Sequence, residues 1–310
     1  MATEAATNAA IEVRNVSRWY GDVVAVNDIS FSVGPGITGL LGPNGAGKST
    51  LLHMISGFLR PSAGAVEVLG EPSWRNTEIF RRVGLVPERE AIYPFLGARD
   101  FALASARLHG LADPHEAARR AVALVELEDA QDRAMGGYSK GMRQRAKIAA
   151  ALVHDPDVLI LDEPFNGTDP RQRLQLMEML RRRAAEGRTI LFSSHILEEV
   201  ERLAENVLVV VNGRLAASGD FRQIRHLMTD RPHTFELRSS DNRALAAALV
   251  GLPHVAAIEI SDGRMDVRTS DFGAFTAAIG RAVRDSGVTL RELRPADESL
   301  ESVFSYLVGS

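Results

Sequence analysis

The stretch Gly42-Pro43-Asn44-Gly45-Ala46-Gly47-Lys48-Ser49-Thr50 decides the fold. It fits the pattern G-x-x-x-x-G-K-[ST], a loop whose backbone N–H groups close around a chain of phosphates. Ile37–Leu41 before it has strand character. A helical pattern begins at about Ser49, with Leu51, Leu52, Ile55 and Phe58 apolar and with Gly57 and Pro61 bracketing its end. Gly42, Gly45 and Gly47 are expected to take positive φ, so that successive N–H groups face the phosphates. The helix brings the positive end of its dipole to the same point. Lys48 supplies a compact positive charge for the β- and γ-phosphates, and the Ser49 hydroxyl can ligate Mg²⁺.

Working outward, Ile11–Val16, Val23–Val26 and Ile29–Val33 read as strands separated by Gly-rich turns, and Ala65–Leu69 and Arg81–Pro87 follow the loop. Gly97–His109, Pro114–Leu127 and Ser139–Val153 carry the 3.6-residue apolar period of helices. Alternation then resumes with strands at Val158–Leu161, Thr189–Ser193 and Val207–Val211 and helices at Pro170–Ala185 and Ile196–Ala204. Asn212-Gly213 turns the chain into Leu215–Ser218. The class is α/β: a mainly parallel core interrupted by a helical insert at about 90–155. Arg222–His233 reads as a basic connector. Beyond it the elements run β-α-β-β-α-β, a small ferredoxin-like α+β pattern, with a last amphipathic helix at Ser299–Val308. The expected domains are therefore 11–230 for the phosphate-binding core and 233–310 for an accessory unit.

Val158-Leu159-Ile160-Leu161-Asp162-Glu163 is an apolar strand that ends in two carboxylates. Such a strand tip can hold Asp162 near a Mg²⁺ on Ser49, with Glu163 facing the γ-phosphate to orient or deprotonate water. His195, after Ser193-Ser194 at the end of another apolar strand, can hydrogen-bond the γ-phosphate or the attacking water. Glu163, His195 and Lys48 are the candidate catalytic residues.

Composition narrows the classes. The 36 basic and 40 acidic residues give a net charge of −4, so no global basic field points to nucleic acid. Without cysteine there is no disulfide framework, thiolate metal site or cysteine nucleophile. No apolar run approaches the length of a membrane span, and Met1–Ala10 lacks the features of a secretory signal. A cytoplasmic chain is expected, with any membrane role exerted through a partner. Of the 36 basic residues, only Lys48, Lys140 and Lys147 are lysines.

Tyr138-Ser139-Lys140-Gly141-Met142-Arg143-Gln144-Arg145 resembles the LSGGQ signature of ABC transporter ATP-binding subunits, and it opens a helix 23 residues before Asp162. The resemblance covers about residues 11–222, with the motifs in the right order. It implies a RecA-like P-loop NTPase core with ABC-type antiparallel β and helical subdomains. It also implies ATP and Mg²⁺ as cofactors and hydrolysis as the activity. In the family two such domains pair head to tail, a homodimer being expected here, so Ser139 and Gly141 would contact the γ-phosphate bound by the partner protomer. Tyr20 matches the aromatic that stacks on adenine, with Trp19 the adjacent alternative. Asn166-Gly167-Thr168-Asp169-Pro170 resembles the D-loop, which puts Asp169 at the dimer interface. The whole run Gly42, Pro43, Asn44, Gly45, Ala46, Gly47, Lys48, Ser49 and Thr50 would cradle the nucleotide.

Three positions depart from the family pattern. Val86-Pro87-Glu88 puts Glu88 where many members carry the Gln that contacts Mg²⁺ and the membrane subunit. Lys140 and Met142 replace Gly and Gln of the signature, and Phe165 and Thr168 alter the edges of the D-loop. The Tyr-Ser-Lys-Gly-Met signature and Pro87-Glu88 resemble a bacterial exporter subset whose membrane subunit is a separate chain, as does Asp297-Glu298-Ser299-Leu300-Glu301-Ser302-Val303-Phe304 near the end. The implied partner is a transmembrane permease, and the implied location is the inner face of the cell membrane. Two alternatives stand beside it. One is an ABC-type ATPase working on DNA or ribosomes, against which count the single cassette, the lack of basic bias and the absence of sustained heptads. The other is an ATP-binding regulatory subunit with little turnover.

Overall fold

The computed structural model describes residues 9–295 apart from 90, 221–232 and 262. The chain falls into two units that divide between Gly219 and Asp220. In the first, Ile11–Tyr20 (β1) and Val23–Val33 (β2) form an antiparallel hairpin. Ala63–Val68 (β4) and Glu71–Pro72 (β5) extend it to the order β2-β1-β4-β5. The two strands expected at Val23–Val26 and Ile29–Val33 are thus one. The chain passes Asp28 with φ of 52° and its N–H donates to Ser17 Oγ at 2.9 Å, so an irregularity that breaks the apolar alternation is bonded into the hairpin.

A second, six-stranded sheet carries the site. Its order is β10-β9-β3-β8-β7-β6, from Gly36–Leu41 (β3), Val83–Val86 (β6), Val158–Leu161 (β7), Thr189–Ser194 (β8), Asn206–Val211 (β9) and Arg214–Gly219 (β10). All pairings are parallel except that of β10 with β9. Every residue of β7 and β8 is buried, as expected of strands covered on both faces. Each such Leu, Ile or Val contributes roughly 1.5–3 kcal/mol by leaving water. The register sets Leu41 beside Ser194 and Leu161 beside Phe192, so β3, β7 and β8 end at one edge of the sheet. The loops after them start where a parallel sheet presents its ligand site.

Helices Lys48–Ile55 (α1), Pro170–Ala185 (α5) and Leu197–Leu203 (α6) join these strands. Phe58 lies beyond α1 and is 66% exposed, so the expected helix ends early. The left-handed Gly57 (φ 76°) terminates it. The insert contains Ala98–Leu108 (α2), Pro114–Leu124 (α3) and Lys140–Leu152 (α4). Asp113, Ser139 and Asp169 cap α3, α4 and α5 through their side chains. Among the described residues no helix is long and apolar enough to cross a membrane.

The second unit contains His233–Ser239 (β11), Asn242–Leu249 (α7), Val255–Ser261 (β12), Arg264–Thr269 (β13), Phe272–Ser286 (α8) and Leu290–Pro295 (β14). Its sheet order, β12-β13-β11-β14, is antiparallel throughout and is that of a ferredoxin-like fold. Phe235, Leu237, Leu245, Met265, Val267 and Phe275 fill its core. Glu236 projects from β11 away from that core and accepts from Arg264 at 2.7 Å and Arg294 at 2.6 Å. Burial alone would raise its carboxyl, but the two guanidinium partners hold it below the ordinary range. The connector expected over 222–232, the last helix expected at 299–308 and the motif over 297–304 lie outside the described residues.

Candidate functional site

The loop after β3 wraps the start of α1. Gly45 and Gly47 take φ of 82° and 101°, as expected of a loop that turns its N–H groups inward. Gly42 does not need positive φ. A Cβ there would collide with the Val210 carbonyl oxygen, so close approach to β9 is what demands glycine. Gly47 carries both constraints, since a Cβ on it would meet the Ala25 carbonyl.

Lys48 is buried, and its ammonium donates to the carbonyls of Gly42 at 2.8 Å and Pro43 at 3.2 Å. The same Nζ lies 3.6 Å from Glu163 Oε1. The other carboxylate oxygen of Glu163, Oε2, is 2.9 Å from His195 Nδ1. The cation of the loop, the carboxylate after β7 and the imidazole after β8 therefore form one line. Glu163 holds its place with φ of 50°, a left-handed conformation that costs a non-glycine residue about 1–3 kcal/mol. The Ser193 hydroxyl helps fix it. Its Oγ accepts from Glu163 N at 2.9 Å and donates to Asp162 Oδ1 at 2.6 Å. One buried hydroxyl thus sets the position of two consecutive carboxylate residues.

Behind His195, Ser194 donates to the buried Glu199 at 2.6 Å, and Arg173 on α5 stands 3.5 Å from that carboxylate. Burial pushes the Glu199 carboxyl up from its ordinary value, against the pull of Ser194 and Arg173.

A cleft of about 570 Å³ opens over this line. Asn44, Gly45, Ala46, Gly47, Lys48, Ser49 and Thr50 border it together with Ala25, Glu88, Glu163, Asn166 and His195. Asp162 is buried behind the cleft and is not one of its lining residues. Gly42 and Pro43 face Lys48 instead, through their carbonyls. Tyr20, Ser139, Gly141 and Asp169 do not border it either. Tyr20 and Trp19 are each about half exposed, and the Arg18 guanidinium sits 4.7 Å from the centre of the Tyr20 ring. Ser139 is exposed and caps α4, accepting from Met142 N at 3.2 Å. Gly141 packs so closely on Gln172 that a Cβ would overlap its side-chain oxygen, while Asp169 caps α5 through Gln172 N at 2.9 Å. The start of α4 and the 166–169 loop therefore lie side by side.

Among the described residues no group of three or more His, Cys, Asp or Glu is arranged to hold a metal by itself. Ser49, Glu88 and Asp162 offer oxygen donors alone. That set fits a hard cation such as Mg²⁺ when phosphate oxygens and water supply the remaining ligands. The sequence placed Asn166 in the D-loop resemblance without giving it a part in the cleft, and it singled out neither Ala25 nor the bridging role of Ser193, whose one local signal is its place two residues before His195 at a strand end.

Residues 26–166 match the family model described as ABC transporter. A Nod factor export ATP-binding protein I from Burkholderia orbicola is 44% identical over 217 residues, 68% of this chain and 71% of that one. A protein of the same name from Sinorhizobium fredii is 35% identical over 311 residues, 98% of this chain and 87% of that one. A solved ATP-binding subunit of an ABC transporter superposes with a TM-score of 0.64 at 32% identity, over 70% of this chain and 92% of its own.

Proposed function

The chain belongs to the ABC transporter family of ATP-binding subunits, whose ATPase domain hydrolyses ATP to power transport, and on that premise we propose that it drives export through a separate transmembrane permease. Both relatives are named for export, and neither favours the DNA- or ribosome-associated alternative. Two copies pair head to tail with ATP between them. The observation that carries the reading is the Glu163 carboxylate held between Lys48 Nζ at 3.6 Å and His195 Nδ1 at 2.9 Å, on the border of the loop cleft.

The mechanism follows from these residues. Backbone N–H groups of 44–50 and the N-terminus of α1 bind the phosphates. Lys48 neutralises the β- and γ-phosphate oxygens, exchanging carbonyl partners in the loop for the nucleotide. Ser49, Asp162 and Glu88 would hold Mg²⁺, which when bound neutralises charge on the phosphate oxygens. Glu163 accepts the proton of the attacking water, and His195 orients that carboxylate by donating from Nδ1; Nε2 donates to the γ-phosphate when the ring carries its second proton. Tyr20, or its neighbour Trp19, stacks on adenine. Ser139, Gly141 and Asp169, all outside the cleft of their own protomer, complete the site of the partner protomer. Such a split site makes pairing depend on ATP, the two-state element that drives transport.

The permease docks beside the Glu88 loop and the insert from Ile92 to about Leu111. A groove of about 340 Å³ runs there between α2 and β6, bordered by Phe58, Phe80, Pro87, Ala91 and Phe101. Tyr93 and Phe95 stand exposed next to it, an apolar surface suited to a partner. The chain then works as a peripheral protein at the cytoplasmic face.

Glu163→Gln tests the assignment. It keeps the shape and removes the base, so turnover falls by about 10²–10⁴-fold, while ATP holds two copies together in size-exclusion chromatography. Hydrolysis at the wild-type rate would sink the role given to Glu163.

A further inference from the structure

Lys147 has no part in the motifs, yet it is one of three lysines in a chain with 33 arginines. It lies on α4, two helical turns after Ser139, and only 5% of it is exposed. Its ammonium donates to the carbonyls of three consecutive residues, Pro87 at 2.7 Å, Glu88 at 3.3 Å and Arg89 at 3.1 Å. These residues follow β6 in irregular backbone. An ammonium has three donors on one centre and matches three converging acceptors, whereas a guanidinium spreads its donors in a plane. Glu88 is the middle residue of the three. Glu88 borders the nucleotide cleft, and a neighbouring cavity of about 220 Å³ is bordered by Glu88, Lys147 and Glu163 together.

We propose that Lys147 is a positioning residue for ATP hydrolysis: it gathers the carbonyls of 87–89 and so fixes the backbone that presents the Glu88 carboxylate to the cleft. The bond joins two parts with different tasks. Ser139, Lys140 and Gly141 begin the helix that carries Lys147, and Glu88 serves the Mg²⁺ end of the nucleotide. A displacement of α4 is passed to Glu88 through one buried ammonium. The inference rests on the reading of Glu88 as a Mg²⁺ or phosphate-end residue.

The test is a double-mutant cycle on the full chain, with ATPase rates measured against both Mg²⁺ and ATP. Lys147→Met lowers kcat about tenfold and raises the Mg²⁺ concentration for half-maximal rate, while KM for ATP stays within about twofold because the 42–50 loop is untouched. Glu88→Ala shifts the Mg²⁺ dependence similarly. The double variant is no worse than Glu88→Ala alone, since Lys147 acts through Glu88. Lys147→Arg recovers less than half of the lost rate. Should Lys147→Met not fold, Lys147→Gln, which returns donors, carries the same cycle. Multiplying effects of the two substitutions, or a change in KM alone, overturns the proposal and leaves Lys147 a packing residue. If Glu88→Ala shifts the Mg²⁺ dependence and Lys147→Met does not, the proposal fails and the reading of Glu88 stands. If Glu88→Ala changes nothing, that reading fails and the proposal falls with it.

Discussion

Acidification should destabilise the first unit through one imidazole, and replacing His154 by Phe should remove most of the effect. His154 and His109 stack with ring centroids 3.8 Å apart and planes within 10°. His154 Nε2 lies 3.2 Å from the Val83 carbonyl, so its N–H sits there and Nδ1, which is buried with no partner, is bare. A proton on Nδ1 would find no acceptor. Burial, and then the neighbouring His109, push the His154 pKa from 6.5 down to about 4, against smaller opposing effects of the Val83 carbonyl and Asp155. The folded value is depressed. The contribution to stability is therefore complete above the unfolded pKa of 6.5 and is lost as pH falls toward the folded value of about 4.

Between about pH 7.5 and about pH 5 that linkage amounts to about 2 kcal/mol. Partial exposure of the ring cuts it to about 1 kcal/mol. His109, also held low by burial and by Arg81, adds in the same direction. Both tryptophans, Trp19 and Trp74, belong to the first unit, so tryptophan fluorescence follows its melting alone. For a unit of this size about 1 kcal/mol moves Tm by about 2–4 °C. Wild-type protein should lose that much more than His154→Phe, in which the stacked ring is kept and the titrating group is gone. Parallel curves of Tm against pH for the two proteins would refute the reasoning.

Two further substitutions probe how the site is held. Ser193→Ala leaves a buried carboxylate oxygen of Asp162 and the Glu163 N–H without their shared partner; the loss should be about 1–3 kcal/mol in melting experiments, with kcat falling more than KM rises in steady-state ATPase assays. Unchanged kcat would mean that Glu163 does not depend on this hydroxyl. Gly42→Ala forces a methyl against the Val210 carbonyl and distorts the loop from its first residue; affinity for a fluorescent ATP analogue should fall at least about tenfold, and retained affinity would show that the loop can move off β9.

What was legible in the sequence was local. The loop at 42–50, the carboxylates after Leu161 and the histidine after Ser194 each announce themselves as polar chemistry at the end of an apolar strand. A parallel sheet then brings strand ends to one edge whatever their separation in the chain. The line from Lys48 through Glu163 to His195 needs no more than that rule, because β3, β8 and β7 are consecutive neighbours. Helix bounds shifted by a few residues, where caps such as Ser139 decide the first turn. The illegible part depended on contacts made at a distance. Gly42 reads as a residue needed for its φ, yet its constraint is Val210, a residue of a strand far along the chain. Nothing near Val23–Val33 announces that Ser17 will bond the Asp28 N–H and keep β2 whole.

The scarcity of lysine shows how a compositional oddity acquires a physical reason. A chain that uses arginine at 33 of 36 basic positions buries two of its three lysines, Lys48 and Lys147, each against converging acceptors, and leaves Lys140 exposed. Lys48 serves two loop carbonyls and Glu163, Lys140 reaches Asn166 Oδ1 at 3.2 Å, and Lys147 serves three carbonyls around Glu88. Lys140 and Lys147 border one cavity with Glu163, and Lys48 borders the cleft on the other side of that carboxylate. Arginine serves both kinds of acceptor: Arg183 and Arg188 pair with the Asp155 carboxylate, while Arg145 donates to the carbonyls of Val125 and Glu126. What sets Lys48 and Lys147 apart is that one ammonium centre meets two or three converging acceptors in a buried place, and a lysine-to-arginine exchange there replaces a compact donor with a planar fork.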